Sequence, residues 1–98
     1  MKILALERDQ PGLTDADFQP HLKAEAARAW ELHQASVIRE LYFDPREHTA
    51  VLMLECASLE DAQAALATLP LVEHGLIEFE LIPLVPYDGF ARLFTIDS

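Results

Sequence analysis

The sequence predicts a single α+β domain whose elements follow the order β-α-β-β-α-β. Two observations lead to this fold class. Short apolar runs with a two-residue period alternate with segments whose apolar residues recur at helical spacing, and turn residues separate them. A chain of 98 residues has room for one hydrophobic core. We therefore expect one domain over residues 1–98, with a C-terminal tail over 85–98 that docks on the domain or on a partner.

Composition narrows the classes of partner. The chain is 51% hydrophobic, yet 17 acidic residues against 7 basic ones give a net charge of −10. Nucleic acids and anionic membranes are bound through clustered Lys and Arg, so neither is expected as a partner. The single cysteine, Cys56, excludes an internal disulfide, and the apolar run at the N-terminus is too short for a signal peptide or membrane span. We expect a cytoplasmic protein.

The first half of the chain predicts a strand and a helix. Residues 2–8 form an apolar run that ends at the turn sequence 9–12, and a short turn follows at 14–19. The main helix is expected from Pro20, at its first position, to Ala35. The residues that share its apolar face are Leu22, Ala26, Ala29, Trp30 and His33.

The second half predicts a hairpin, a helix and a last strand. Residues 37–44 and 49–56 are two strands joined by a turn. A helix begins after Ser58, has acidic residues in its first turn, and ends at Pro70. Its buried stripe consists of Ala62, Ala65, Leu66 and Leu69. The last strand covers 76–84, and the complete order is that of a ferredoxin-like fold, one antiparallel sheet with both helices on one face.

Alternation along each strand assigns its side chains to one face or the other. The residues expected on the helix side are Leu4, Leu6, Leu41, Phe43, Ala50, Leu52, Leu54, Ile77, Phe79 and Leu81. Those expected on the opposite face are Ile3, Ala5, Glu7, Ile38, Glu40, Tyr42, Val51, Met53, Glu55, Leu76, Glu78, Glu80 and Ile82. This second face is too apolar for water, so we expect a homodimer or higher homo-oligomer to cover it.

Several short sequence motifs resemble those of the dimeric α+β barrel superfamily, in its muconolactone-isomerase-like and YCII-related branches. The isomerase branch is suggested by Glu31-Leu32, six residues and then Arg39, and by Leu69-Pro70-Leu71. The YCII-related branch is suggested by Pro20-His21-Leu22, Ser58-Leu59-Glu60, Ala62-Gln63-Ala64, Gly75 and Glu78. The resemblance covers residues 20–84 and implies a ferredoxin-like protomer, a homo-oligomer, and a small-molecule cavity between sheet and helices. It departs from the YCII pattern at Leu69, where that branch has the aspartate that pairs with the histidine.

His21 is the first candidate for catalysis. Glu25 follows one helical turn later and Arg28 lies on the same flank, so a carboxylate could orient the imidazole as a general acid or base. The alternative is an exposed pair one turn apart that adds a few tenths of a kcal/mol, about 0.3, to helix stability.

The carboxylates assigned to the free sheet face are the second set of candidates: Glu7, Glu40, Glu55, Glu78 and Glu80. Proton transfer at carbon needs a base of raised pKa, and a partly buried Glu near Tyr42 or Arg39 would serve. We take His21 and Glu78 as the catalytic candidates. The candidates for binding substrate are Arg28, Arg39, Tyr42, Glu7, Glu40, Trp30 and His74, with Arg8, Arg28 or Arg39 holding an anionic group. The alternative is that these carboxylates edge the sheet or pair with arginines.

No cofactor or metal is expected. The sequence contains no His-x-x-x-His or Cys-x-x-Cys spacing and no phosphate-binding glycine loop. The favoured function is a cofactor-free isomerase or related enzyme that acts by proton transfer on a small carboxylated or lactone metabolite. The alternatives are a non-catalytic dimeric module that binds a small ligand or serves as an accessory subunit, and a cofactor-free oxygenase.

Overall fold

A computed structural model of the chain describes residues 1–95. The four strands are β1 (Lys2–Asp9), β2 (Ile38–Phe43), β3 (Ala50–Glu55) and β4 (Ile77–Leu84). The four α-helices are α1 (Asp15–Phe18), α2 (Leu22–Gln34), α3 (Leu59–Leu66) and α4 (Pro70–Glu73). The strands form one antiparallel sheet in the order β2-β3-β1-β4, which confirms the predicted ferredoxin-like arrangement.

Local signals fix where the helices begin. Thr14 and Asp17 form a capping box, in which the Thr14 backbone N–H donates to an Asp17 carboxylate oxygen at 2.7 Å. Pro20 lies in a single 3₁₀ turn between α1 and α2, so α2 begins two residues later than predicted. The Ser58 hydroxyl accepts from the Asp61 N–H at 3.1 Å at the start of α3. The helix α3 ends at Leu66, earlier than the predicted stop at Pro70, and Pro70 instead occupies the first position of the short helix α4.

The assignment of β1 to its two faces was wrong. Ile3 and Ala5 are fully buried on the helix side, opposite Leu54 and Leu52 of β3, and Glu7 follows them there. The predicted residues Leu4 and Leu6 face the other way. Residues 3–6 are all apolar, so alternation alone carries no information about which set is inside. The pairing of β1 with β3 determines which of its side chains face the helices.

A register shift in β2 explains a second error. The pairing with β3 is interrupted between Ile38 and Glu40, which leaves Arg39 out of the ladder. Ile38, Leu41 and Phe43 therefore share the helix side although their spacing is not strictly two. Leu41 and Phe43 were predicted there, whereas Ile38, which is fully buried, was assigned to the opposite face. The assignments in β3 and β4 agree with the structure.

The opposite face of the sheet has no helix over it, and we call it the open face. Its partly buried apolar side chains are Leu4, Leu6, Val51, Met53 and Ile82. Charges surround them: Arg8 pairs with Glu80 at 2.6 Å, and the N-terminal ammonium pairs with Glu55 at 2.6 Å. The open face of the protomer is thus an apolar surface with ion pairs along it.

Two segments expose more apolar surface than the sequence indicated. On α2 only Leu32 is fully buried, while Trp30 is 60% exposed and His33 lies at the outer edge, its Nδ1 2.8 Å from the Ile38 carbonyl oxygen. The described part of the tail leaves Val85 and Phe94 more than 80% exposed. Docking of the tail on its own domain or on a partner stays a prediction, and residues 96–98 lie outside the described chain. Over residues 1–95, no helix is both long and apolar enough to cross a membrane.

Candidate functional site

A cavity of about 630 Å³ lies between the helix side of the sheet and the pair α1 and α2. It exists because α2 turns small side chains, Ala26 and Ala29, toward the sheet, and because β2 is an edge strand that no helix covers completely. The apolar part of its wall includes Phe18, Leu52 and Phe79. A volume of this size is in the range of small-molecule sites.

Glu7 lies at the sheet side of this cavity and is only 9% exposed. Its Oε1 accepts the Ala50 backbone N–H at 2.8 Å. Burial raises the pKa of its carboxyl to about 7, and a hydrogen bond shared with the Asp9 carboxyl raises it as well. The Ala50 N–H acts in the other direction. Glu7 can therefore take up and release a proton near neutral pH, which is what a general base requires.

Glu25 enters the cavity from α2. Its Oε1 accepts the Leu71 N–H at 2.9 Å, in the first turn of α4, where backbone donors have no partner within the helix. Burial raises the pKa of Glu25, and the Leu71 hydrogen bond opposes that shift. The contact connects α2 to α4. It also places a second carboxylate near Glu7, whose pKa it raises further.

The turn between β2 and β3 supplies the mouth of the cavity. His48 adopts a left-handed conformation with φ of 56°, and its N–H donates to the Asp44 carbonyl at 2.7 Å. Its ring stacks on Phe43 with centroids 4.0 Å apart, and both residues line the cavity together with Glu47. The sequence predicts only that residue 48 lies in the turn between the strands 37–44 and 49–56. The left-handed conformation that directs its ring to Phe43 has no recognisable sequence signal here.

The structure brings few of the predicted site residues to this cavity. Glu7 and Tyr42 line it, and the Tyr42 hydroxyl donates to Glu40 at 2.7 Å, which raises the pKa of Tyr42. His21 and His74 stack on each other at 4.3 Å but lie outside the lining residues. The pair of His21 with Glu25 does not form, because Glu25 bonds to Leu71 instead.

The remaining predicted residues also lie elsewhere. Glu78 is exposed on the open face, and Trp30 lies on the outside of α2. Arg28 bonds to the Thr68 hydroxyl at 2.9 Å and lies 3.6 Å from Glu31. The Arg39 side chain donates to the Ser36 carbonyl at 2.8 Å. None of these four lines the cavity in the described chain.

Sequence reasoning missed most of the polar wall. Besides Glu25, which was noted only as a partner for His21, the missed polar residues are Asp9, Asp15, Glu47 and His48. Asp9 and Asp15 belonged to segments assigned as turns, and nothing in their spacing indicates that α1 returns to the end of β1. Within residues 1–95, no three His, Cys, Asp or Glu side chains cluster as a metal site would require.

Together these features define the class of protein: a ferredoxin-like α+β domain with a cavity of about 630 Å³ between sheet and helices. No protein-family model and no curated protein matches the sequence. Among solved structures, one of muconolactone isomerase is similar to this chain, with a TM-score of 0.74 and 18% identity. The match covers 100% of this chain and 97% of the isomerase chain. The fold predicted from the resemblance to the isomerase branch is therefore confirmed.

A second solved structure shares the fold. It is 5-chloro-2-hydroxyhydroquinone dehydrochlorinase from Burkholderia phenoliruptrix AC1100, in complex with 2,5-dihydroxybenzoquinone. The match covers 91% of this chain and 98% of that one, with a TM-score of 0.62 and 17% identity. The YCII-related part of the resemblance finds no support in either match and stays a prediction.

Proposed function

We propose that this protein is a cofactor-independent enzyme of the isomerase kind, which moves a proton between carbon atoms of a small lactone-type or related ring. The observation that supports this most directly is Glu7, a carboxyl that is nearly buried in a cavity and has a pKa of about 7. Positioned bases of matched pKa accelerate proton transfer by about 10² to 10⁴. The folds of an isomerase and a dehydrochlorinase agree with such chemistry.

The proposed step uses Glu7 alone as the proton carrier. Its carboxylate removes a proton from the carbon next to a ring carbonyl, and the electron pair of that C–H bond becomes the double bond of an enolate. The protonated Glu7 then returns the proton to a different carbon, so that the atoms of substrate and product are the same. Asp9 holds the Glu7 carboxyl through their shared hydrogen bond, and the Ala50 N–H orients its Oε1 at 2.8 Å.

The proposal places the base at Glu7 and not at the predicted pair of His21 and Glu78. His21 is stacked on His74 outside the cavity lining, and Glu78 is exposed on the open face of the sheet. Catalysis by that pair would require a cavity other than the one between α2 and the sheet. Substitution of His21 and of Glu78 therefore tests directly whether Glu7 is the base.

A second function is favoured by the apolar walls and by Leu69. The cavity could hold a ligand without transforming it, and Leu69, only 1% exposed, occupies the position at which the YCII pattern has its acid. The protein would then be a small-ligand-binding or accessory module. Ligand binding without turnover would distinguish this function from the isomerase.

We also propose that two or more copies associate through the open face. Leu4, Leu6 and Met53 are apolar and partly exposed there, and burying such a patch between identical surfaces is the usual route to a two-fold dimer. Sedimentation equilibrium would contradict this if the chain stayed monomeric at about 100 μM, above the range of ordinary dimer constants. We propose in addition that the protein is cytoplasmic.

Turnover of a panel of butenolides and hydroxylated quinones tests the catalytic assignment. We expect Glu7→Gln to lower kcat/KM by about 10² or more, because the amide keeps the Ala50 hydrogen bond but cannot accept the substrate proton. The wild-type kcat/KM should rise with pH through about 7, the pKa of Glu7. Glu73→Gln, an exposed carboxyl on α4, is the matched control and should leave kcat/KM unchanged.

Two results would contradict the assignment. One is an active Glu7→Gln protein with the pH profile of the wild type. The other is a loss of turnover in His21→Ala or Glu78→Ala that Glu7→Gln does not show, which would return the catalytic role to the pair predicted from the sequence.

A further inference from the structure

The cavity has an unusual charge pattern for a site that would bind a carboxylated metabolite. Five carboxyl groups line it, from Glu7, Asp9, Asp15, Glu25 and Glu47. Among the described residues that form its wall, none is Lys or Arg. Proteins hold anions with Arg, Lys, His, hydroxyl groups or free backbone N–H groups. Arg and Lys are missing from this wall. The Tyr42 hydroxyl already donates to Glu40 at 2.7 Å, and the His48 ring stacks on Phe43.

The backbone donors that meet carboxyl groups here are already used. The Ala50 N–H donates to Glu7 at 2.8 Å, and the Leu71 N–H donates to Glu25 at 2.9 Å. In both places the protein's own carboxylate occupies the position that the carboxylate of a ligand would take. An anionic ligand that used either of these two donors would have to displace Glu7 or Glu25, which is costly where the glutamate is buried.

The arginines near the cavity point to other partners. Arg46 is next to Glu47 in sequence, but its guanidinium lies 3.2 Å from the Asp44 carboxylate. The backbone N–H of Arg46 donates to the same carboxylate at 2.8 Å. Arg8 follows Glu7 on β1, but it lies on the open face and pairs with Glu80 at 2.6 Å. Within the described chain, Glu47 at the mouth of the cavity forms no ion pair with Arg46 or Arg8, although its charge adds to the rise in the pKa of Arg46.

The geometry points to an uncharged substrate: we propose that this cavity binds a small lactone or hydroxylated ring without a carboxylate and rejects its carboxylated counterpart. This inference rests on the proposed function only where it assumes that the bound ring is a substrate; the binding preference itself does not depend on turnover. The aromatic rings of Phe18, Phe43 and Phe79 offer an apolar surface to such a ring.

A matched pair of ligands tests this by calorimetry at pH 7.5. The probes are a carboxymethyl-substituted butenolide, anionic at this pH, and its uncharged methyl ester. We expect the ester to bind at least about tenfold more tightly, because the acid adds a like charge among carboxylates.

Charge variants separate electrostatics from shape. Glu47→Lys should reduce the preference for the ester severalfold by binding the acid more tightly, while the affinity for the ester stays the same. Glu73→Lys makes the same change of charge on the exposed face of α4 and should leave the preference unchanged. If the two variants shifted the preference equally, the net charge of the chain and not the cavity would be responsible, which would overturn the inference.

The outcomes separate this inference from the proposed function. Binding of the ester without turnover would refute the isomerase and leave the inference standing. Equal affinity for acid and ester would overturn the inference, even if both were turned over. Failure of the ester to bind at about 1 mM would overturn it as well.

Discussion

Glutamate side chains on the two faces of the sheet lie in opposite environments. On the helix side Glu7 is 9% exposed and without a cation, so burial raises its pKa to about 7. On the open face Glu55 pairs with the N-terminal ammonium, which lowers its pKa, and Glu80 pairs with Arg8. The side chain is the same in all three cases. Burial makes Glu7 a base suited to neutral pH, whereas the N-terminal ammonium favours the charged form of Glu55.

The largest expected difference between the faces is in packing. Leu54 and Met53 are neighbours on β3, but Leu54 is fully buried under the helices and Met53 lies on the open face. We expect Leu54→Ala to lower the free energy of unfolding by about 2 to 5 kcal/mol, because it leaves a cavity in the core. Met53→Ala should cost about 1 kcal/mol or less in the monomer.

Urea unfolding monitored by circular dichroism, at a protein concentration low enough to keep the chain monomeric, measures both changes. A Met53→Ala protein as unstable as Leu54→Ala under these conditions would mean that the open face of the protomer is packed. That result would contradict the division of the sheet into one covered and one open face.

Much of this comparison could be predicted from the sequence, but the face of β1 could not. Turn residues and apolar periods were enough for the element order, and β3 and β4 alternate clearly between apolar and polar positions. Residues 3–6 are apolar throughout, so the choice between Ile3 and Leu4 depended on pairing with β3. Glu7 consequently appeared among the open-face carboxylates, although its neighbours in the fold make it different from them.

The site was less predictable than the fold because it depends on contacts between distant segments. Glu25 meets Leu71, which is 46 residues away, and Glu7 meets Ala50, which is 43 residues away. His21 was favoured because local spacing suggested a partner at Glu25, but the backbone of α4 competes for that carboxylate. The register shift at Arg39 likewise has no local sequence signal that identifies it.

The second expected difference is in the pH dependence of stability. The folded pKa of Glu7, about 7, is above its unfolded value of 4.5, so its contribution is fully present below pH 4.5 and is lost as pH rises through 7. Between pH 5 and 8 we expect the wild type to lose about 1 to 3 kcal/mol of unfolding free energy from this group. Glu7→Gln, which resembles the protonated form, should lack this loss and be the more stable protein at pH 8.

Glu55 on the open face gives the contrast of opposite sign. The pairing with the N-terminal ammonium lowers its pKa, so its contribution is present above the unfolded pKa and is lost as pH falls through the folded value. Glu55→Gln should therefore lower stability by a constant amount above pH 4.5, leave the slope between pH 5 and 8 unchanged, and become equal to the wild type only at acidic pH. Chemical denaturation at a series of pH values measures both variants, and a wild-type slope retained in Glu7→Gln would contradict the burial argument.

The smallest expected effect concerns the ion pair of Arg8 with Glu80 on the open face. Both side chains are about half exposed, and such pairs contribute about 0.2 to 1 kcal/mol in solvent. We expect Arg8→Ala to change the unfolding free energy by no more than this at low protein concentration. At higher concentration the result depends on whether a second copy covers the face, because removing one partner of a pair that has become buried leaves the other charge uncompensated. A cost for Arg8→Ala that grows with protein concentration would therefore support association through the open face, and a constant small cost would contradict it.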